Sequence, residues 1–208
     1  MNGRIAQIGK KTKEVDIRGR LNLDGSGRGK VKTGIGLLDH MLELLAKHGL
    51  LDLELKAKGD LHIDLHHTNE DLGLALGEAF KKALGDKKGI HRMGSCYVPM
   101  DESLARTVVD LCGRAYFRWG WASGFDGDGA FRQIQEAGRT PYGVEEAKHF
   151  LESFSAKAEA TIHVDVEKAG KDLHHLLEAV FKGLGRALRD AAQIDPKVKG
   201  IPSTKGKL

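Results

Sequence analysis

The chain has 208 residues, of which 30% are charged and 6% aromatic, and its formal net charge is +4. This length allows one large or two small domains with a hydrophobic core. No apolar run approaches the 18 or so residues that a bilayer span needs, so we expect no membrane partner. Lys and Arg are dispersed along the chain rather than clustered, which favours an anionic small molecule over nucleic acid as the partner.

The two cysteines, Cys96 and Cys112, have neither metal-ligand spacing nor the number needed for a disulfide framework, although a bond between them stays open. The first residues also lack the apolar stretch of a signal peptide. We therefore expect a cytoplasmic protein.

In the first half of the chain, the hydrophobic pattern predicts strand, helix, strand and helix in that order. Apolar and polar residues alternate over 14–23 and again over 51–57, which is typical of half-buried strands. Residues 35–48 and 66–84 show helical spacing, and each of these segments is followed by a glycine.

The second half repeats this order. Residues 105–111 and 160–166 are predicted strands, and residues 143–154 and 172–192 are predicted helices. Strands with a single apolar face are too amphipathic for a Rossmann domain, whose sheet is covered by helices on both faces. No Gly-x-Gly-x-x-Gly motif stands at the start of a predicted helix. The pattern indicates sheets packed on a shared helical layer.

The two halves align with one insertion. Residues 23–25 match residues 111–113 at an offset of 88, whereas matches further along the chain have an offset of about 109. The difference predicts an insertion of about 21 residues, placed within 115–143 and read as a solvated hairpin, a lid or an assembly contact. We expect a single functional unit made of a first repeat, a second repeat and a C-terminal tail, at residues 1–90, 91–195 and 196–208.

One pattern of potential metal ligands occurs twice. A histidine is followed by a His-His-x-x-Glu motif in each half, and equivalent residues are 108 or 109 positions apart. Imidazoles and carboxylates are common ligands of divalent transition metals. A single His-His pair is commonly a surface feature of a helix, but two copies at matching offsets predict a two-metal site. The candidate ligands are His40, His66, His67, Glu70, His149, His174, His175 and Glu178.

Helical geometry predicts how these ligands divide. Glu70 lies on the same helix side as His66 and His67, but adjacent histidines diverge by about 100° around a helix. Two neighbouring imidazoles therefore serve two different ions more naturally than one, and each ion is expected to take ligands from both copies.

Several longer motifs resemble the imidazoleglycerol-phosphate dehydratase family, the manganese-dependent dehydratases of histidine biosynthesis. They occur in the family's order and cover essentially the whole chain. They are TGIGLLDHML (33–42), DLHHTNED (64–71), PMDE (99–102), GR (113–114), HHLLEAVFK (174–182) and IPSTKG (201–206).

The resemblance implies an α+β fold, a duplicated α/β unit in which two four-stranded mixed sheets sandwich a helical layer, as in ribosomal protein S5 domain 2-like folds. It also implies a homo-oligomer of 24 subunits with active sites between chains. Each site would hold two Mn²⁺ ions, and each ion would be bound by three histidines and one glutamate. Ligand chemistry alone does not select manganese, since zinc and copper bind such donors more tightly.

The resemblance further implies a phosphate site, formed by Arg92, Arg114, Lys182, Ser203 and Lys205. Arginine forks and lysine point charges suit a phosphate dianion. Lys182 lies four residues after Glu178 and so points to the metal side of its helix, whereas the first repeat has Leu74 at the equivalent position. The segment with Ser203 and Lys205 alone would read as a frayed tail, and we expect it to order over bound substrate.

The implied reaction removes water from imidazoleglycerol phosphate and gives imidazoleacetol phosphate through a metal-bound imidazolate and a diazafulvene-type intermediate. Glu14 is the candidate acid/base, and Glu178 and Lys182 complete the predicted catalytic set with Asp101, which like Glu102 is a candidate for orienting substrate or a histidine. The chain departs from the family pattern at Leu44, where a glutamine is common.

Two other functions fit parts of the pattern. A two-metal phosphoesterase would release phosphate, but such sites rely more on aspartates. A metal-storage shell would explain the histidines, but it gives Lys182 and the C-terminal motif no role.

Overall fold

The computed structural model describes residues 3–122 and 141–208. These residues form eight strands and four helices. In chain order they are β1 (Ile5–Lys11), β2 (Val15–Asn22), β3 (Gly29–Lys32), α1 (Gly36–Gly49), β4 (Asp52–Gly59), α2 (His66–Leu84), β5 (Met93–Met100), β6 (Ser103–Asp110), β7 (Tyr116–Trp121), α3 (Val144–Ala158), β8 (Thr161–Lys168) and α4 (Leu173–Ala192).

The strands form two four-stranded sheets with the same topology. The first sheet has the order β1-β2-β4-β3 and the second has the order β5-β6-β8-β7. In each sheet the last pair is parallel and the other pairs are antiparallel. The predicted fold class, α+β with two four-stranded mixed sheets around helices, is confirmed.

The strand register shows the duplication residue by residue. Asn22 of β2 pairs with Asp52 of β4, and Asp110 of β6 pairs with Thr161 of β8, so the equivalent pairs differ by 88 and 109 positions. The same offset of 88 relates β7 to β3. Residues 116–121, which the sequence comparison assigned to the insertion, therefore form a regular strand of the second repeat, and most of the remaining insertion lies outside the described residues.

The helices lie between the inner faces of the two sheets. Helices α1 and α2 pack on the first sheet, α3 and α4 pack on the second, and the pairs α1–α4 and α2–α3 join the two layers. The core is largely apolar, with Leu38, Phe150 and Phe181 among its fully buried side chains, and it also encloses polar side chains such as Thr68 and Asn69. No helix in the described ranges is long and apolar enough to cross a membrane.

Glycine permits the close approach of α1 and α4. A Cβ atom at Gly185 would lie 2.5 Å from the carbonyl oxygen of Leu45, so an added methyl group would force the two helices apart. We expect Gly185→Ala to lower the free energy of unfolding by about 2 kcal/mol, as overpacking usually does. Chemical denaturation measures this loss. Gly36→Ala is the matched control, because a Cβ atom at Gly36 meets nothing within 4 Å, and an equal loss in both variants would contradict the packing argument.

Candidate metal centre

The first ligand cluster, cluster 1, consists of His40, His174 and Glu178. Helices α1 and α4 run in the same direction, since His40 contacts Glu178 and Gly49 contacts Gly185, so His40 of α1 meets the first two turns of α4. Nε2 of His40 and Nε2 of His174 lie 2.8 and 3.0 Å from Oε1 of Glu178. The two imidazole rings are stacked with their centroids 5.1 Å apart. Three metal-binding atoms thus face one point.

The electrostatics of cluster 1 keep Glu178 ionised. Burial raises the pKa of Glu178, but hydrogen bonds from Lys182, His40 and His174 outweigh it and hold the pKa at about 2. Nζ of Lys182 donates to Oε2 of Glu178 over 2.5 Å. A buried carboxylate that stays charged is a strong ligand for a cation.

The second cluster, cluster 2, consists of His66, Glu70 and His149. Their ligand atoms lie within 4.8 Å of one another, and the rings of His66 and His149 are stacked with centroids 4.4 Å apart. Helices α2 and α3 are held together at this level by Asn69, whose Nδ2 donates to the carbonyl oxygen of Glu146 over 2.8 Å. Cluster 2 is therefore built like cluster 1.

Each cluster combines both repeats. In cluster 1 the lone histidine comes from α1 of the first repeat, and the His and Glu four residues apart come from α4 of the second. In cluster 2 the lone histidine comes from α3 and the pair comes from α2. The duplication thus places two equivalent three-ligand groups in one chain.

The two remaining histidines, His67 and His175, point away from these clusters. Each ring is nearly perpendicular to that of the preceding histidine, with centroids 6.0 and 6.5 Å apart. Nδ1 of His67 hydrogen-bonds Asp60 at 3.1 Å, and Nδ1 of His175 hydrogen-bonds Glu102 at 3.0 Å. These carboxylates raise the pKa of both histidines. Metal-binding histidines commonly have such a carboxylate on the nitrogen that does not face the metal.

Glu14 and Glu102 are equivalent in the two repeats but differ in their hydrogen-bond partners. The β1–β2 and β5–β6 turns are equivalent at the offset of 88, so these two glutamates occupy the same position. The carboxylate of Glu102 accepts a hydrogen bond from His175. In the first repeat, the equivalent histidine, His67, is hydrogen-bonded to Asp60 and not to Glu14. Within residues 3–122 and 141–208, the Glu14 carboxylate has no hydrogen bond or ion pair, and its charge contributes to the raised pKa of His67. Glu14 is thus a free carboxylate beside a candidate ligand.

Asp101 lies beside Glu102 in the β5–β6 turn. Its φ angle is 46°, its side chain is 73% exposed, and Oδ2 lies 3.9 Å from Nε2 of His175. Asp101, Glu102 and His175 form a third group of potential metal ligands. Nδ1 of His175 is already bound to Glu102, so Nε2 is the nitrogen of this ring that stays available to a metal ion.

The predicted phosphate-binding residues Arg92 and Arg114 lie at the other end of the second sheet, next to the C-terminal tail that carries Ser203 and Lys205. Arg92 binds both carboxylate oxygens of Asp110 at 2.7 and 3.0 Å, and its Nη1 donates to the carbonyl oxygen of Pro202 over 3.0 Å. Pro202 directly precedes Ser203. The backbone of Leu208 lies against Gly113, where a Cβ atom would be 2.6 Å from its carbonyl carbon, so the tail also reaches the residue before Arg114.

The C-terminal tail is held by backbone hydrogen bonds. Gly89 donates to Gly200 over 2.9 Å and accepts from Asp195 over 2.8 Å, and Ile90 forms a bridge with Ile194. These bonds hold residues 194–200, and the hydrogen bond from Arg92 to Pro202 extends the anchoring to the residue before Ser203, whereas composition alone would suggest a frayed end.

Lys182 does not join Arg92 within one chain. Lys182 contacts Glu178 and the sulfur of Met100, at the last residue of β5, whereas Arg92 precedes the first residue of that strand. Eight strand residues span about 25 Å. A phosphate that reaches both residues would need groups from two chains.

Sequence patterns missed Asp60 and Asp110, the carboxylates that hold His67 and Arg92. Neither carboxylate lies at a recognisable sequence spacing from its partner, and only the folded chain brings them together.

Leu44 is partly buried and packs against the core. Cys96 and Cys112 are free.

Comparison with known proteins identifies related chains. The family model for imidazoleglycerol-phosphate dehydratase, abbreviated IGPD, matches residues 33–188. The imidazoleglycerol-phosphate dehydratase of Clostridium botulinum (strain Langeland) is 48% identical over 208 residues, covering 100% of both chains. That of Geobacillus kaustophilus is also 48% identical, covering 99% of each chain.

Two crystal structures are also similar to this chain. IGPD from Pyrococcus furiosus in complex with (S)-C348 has a TM-score of 0.75 at 32% identity, covering 96% of this chain and 99% of that one. Imidazoleglycerol-phosphate dehydratase from Staphylococcus aureus has a TM-score of 0.72 at 32% identity, covering 92% and 99%.

Proposed function

The chain belongs to the imidazoleglycerol-phosphate dehydratase family of hydro-lyases, which act in histidine biosynthesis, and we propose that it dehydrates imidazoleglycerol phosphate at a site with two divalent metal ions. The observation that carries this proposal is the pair of three-ligand clusters, each with a spare histidine oriented by a carboxylate. The product would be imidazoleacetol phosphate, and a cytoplasmic location is part of the proposal.

The donor set fits two ions. Each cluster offers two imidazoles and one carboxylate, and we propose that His67 and His175 supply one further imidazole for each ion. We propose that these two histidines act on clusters of neighbouring chains, because their rings point away from the clusters of their own chain. Nitrogen and oxygen donors are compatible with Mn²⁺, which we propose as the metal. Bound ions would supply Lewis-acid stabilisation of negative charge on the substrate imidazole.

The protein groups then bind the phosphate and move protons. Arg92 and Arg114, with Ser203 and Lys205 from the anchored tail, hold the phosphate by charge-assisted hydrogen bonds. Glu14 is the group that moves the carbon-bound proton, because its carboxylate is free and close to His67. Lys182 keeps Glu178 ionised, Glu102 holds Nδ1 of the His175 ring, and the exposed carboxylate of Asp101 beside it orients the substrate.

The same geometry supports a homo-oligomer. The phosphate-binding residues and cluster 1 lie at opposite ends of β5, about 25 Å apart, so one chain does not bring them around one small substrate. We propose active sites between chains, in an assembly of 24 subunits.

The alternative phosphoesterase is less well supported. Its reaction would use a hydroxide bridging two close ions and usually aspartate ligands. Clusters 1 and 2 contain four histidines and two glutamates, and they share no ligand.

The reaction is tested by incubating the full chain with Mn²⁺ and imidazoleglycerol phosphate and measuring both ketone and free phosphate. The dehydratase gives ketone with phosphate retained, whereas the phosphoesterase gives free phosphate.

The variant Lys182→Met tests the alternative that the protein is a metal-storage shell. We expect kcat/KM to fall about 10²-fold with metal content and particle mass unchanged, because a charge at the reaction site is lost. Full activity in Lys182→Met would remove this residue from the site.

A further inference from the structure

The two clusters have equivalent ligands, but their carboxylates differ in what they already bind. In cluster 1, Oε1 of Glu178 lies 2.8 and 3.0 Å from the ring nitrogens of His40 and His174. The other oxygen, Oε2, accepts a hydrogen bond from Lys182 over 2.5 Å. In cluster 2, the carboxylate of Glu70 has no hydrogen bond or ion pair with any described residue. One carboxylate is therefore already paired with a cation, and the other is free to accept one.

The lysine beside cluster 1 has an apolar counterpart beside cluster 2. Lys182 lies four residues after Glu178, and the residue four positions after Glu70 is Leu74. Both side chains are partly buried. An ammonium group on a metal-binding carboxylate repels a divalent cation, and the repulsion is stronger in a partly buried site than in water. Cluster 1 therefore binds a cation against a repulsion that cluster 2 lacks.

A cavity beside cluster 2 adds acidic groups. Its volume is about 290 Å³, and its lining residues are Asp64, His66, Asn69, Glu145, Glu146 and His149. Glu145 and Glu146 lie in the first turn of α3 and have no acidic equivalent, because the matching positions of α1 are Gly36 and Leu37. Negative charge near a metal site raises its affinity for cations. The cavity therefore increases the difference between the clusters in the same direction.

The residues next to the two lone histidines carry the opposite charges, but both are engaged elsewhere. Asp39, before His40, accepts hydrogen bonds from the backbone and hydroxyl groups of Thr33 over 2.9 and 2.5 Å. Lys148, before His149, pairs with Glu145 over 3.1 Å. Neither of these contacts involves a ligand atom of a cluster. The direct contact between an ammonium group and a ligand, in cluster 1, therefore decides the comparison.

We propose that cluster 2 binds its divalent ion more tightly than cluster 1, so that cluster 2 stays filled when metal is scarce and cluster 1 exchanges its ion with the solution. The proposal rests on the proposed function, which places one ion at each cluster, and it adds the order in which the ions bind. Because the proposed reaction needs both ions, a chain with only cluster 2 filled is inactive. Turnover then follows the filling of cluster 1, and the free metal concentration sets the activity.

The order of binding is measured by titrating the chelator-stripped full chain with Mn²⁺ and following the free ion by electron paramagnetic resonance. We expect two classes of site, each with one ion per chain, whose dissociation constants differ at least about 10-fold. Two variants assign the classes. Glu178→Gln lacks a ligand of cluster 1 and is expected to keep the tight class, whereas Glu70→Gln is expected to keep the weak class.

Moving the lysine tests the physical cause of the difference. Leu74→Lys places an ammonium group four residues after Glu70 and is expected to raise the dissociation constant of the tight class about 10-fold. Leu74→Met is the matched control, because it is uncharged, and it is expected to leave both classes unchanged. Lys182→Met makes the reverse change and is expected to lower the dissociation constant of the weak class, with two ions still bound at saturation. This variant keeps the test decisive where Leu74→Lys fails to fold.

Two ions bound with equal affinity by the wild type would overturn the proposal. So would a tight class that disappears in Glu178→Gln, or unchanged dissociation constants in both lysine variants. Turnover is read separately from metal binding. A wild type that binds two ions in the expected order and forms no ketone would contradict the proposed function and retain the order of binding.

Discussion

Glu178→Gln is expected to abolish turnover and to remove one of two bound metal ions per chain. The carboxylate lies between His40 and His174 and receives the ammonium group of Lys182. A neutral amide presents less charge to a cation and leaves Lys182 without its counter-ion. We expect kcat/KM to fall by at least about 10³-fold, the scale seen when an electrostatic stabiliser of a transition state is lost. Steady-state kinetics and metal analysis of the purified variant measure the two effects.

Two further variants distinguish the loss of a metal ligand from a general loss of structure. Glu70→Gln is expected to lose the ion of cluster 2 in the same way, because the repeats place it in the equivalent position. Glu54→Gln changes an exposed glutamate on the outer face of the first sheet and is expected to keep full activity and both ions. Two tightly bound ions in Glu178→Gln would contradict the assignment of cluster 1.

Arg92→Ala is expected to raise KM on the order of 100-fold while changing kcat by only a few fold. The guanidinium group holds Asp110 and the carbonyl oxygen of Pro202, so its loss removes a phosphate ligand and releases the tail that carries Ser203. Both effects weaken substrate binding rather than the proton transfer. Kinetics with saturating Mn²⁺ measure the split between KM and kcat.

The matched control is Arg18→Ala. Arg18 makes a similar two-point contact with Asp16, at 2.9 and 2.7 Å, but it lies on the first sheet away from the tail. We expect unchanged KM in this control. A loss of bound metal in Arg92→Ala, or a fall confined to kcat, would show that Arg92 acts on cluster 1 and not on the phosphate.

The predicted strands were the central ones. The patterns at 14–23, 51–57, 105–111 and 160–166 correspond to β2, β4, β6 and β8, which have a neighbour on both sides. The edge strands were not predicted. In β7, Phe117, Trp119 and Trp121 alternate toward the core, but these residues were assigned to the insertion. In β5, Pro99 is tolerated because one side of an edge strand needs no partner. Gly94 of the same strand lets α4 pack closely, since a Cβ atom there would lie 2.2 Å from the carbonyl oxygen of Ala187.

The ligands were predictable because duplication repeats their spacing. Helical geometry also anticipated that His66 and His67 would diverge, since their rings are nearly perpendicular. The partners Asp60 and Asp110 were not predictable, because they come from loops or strands whose approach depends on the whole fold. The roles of all these residues stay predictions until the variants are measured.

Broken symmetry between the repeats carries information that a single repeat lacks. Glu14 and Glu102 are equivalent, yet only Glu102 is bound to a histidine, because Asp60 occupies that position in the first repeat. This difference leaves the Glu14 carboxylate without a histidine partner among the described residues, which is why we propose it as the acid/base group.

Metal titration of chelator-stripped protein tests the central claim most directly. Imidazoleglycerol phosphate is added with increasing Mn²⁺, and ketone formation and bound metal are measured together. The two-cluster site predicts no ketone from stripped protein, and activity that rises with metal until two ions are bound per chain. Ketone formation without metal, or full activity with a single ion per chain, would contradict it.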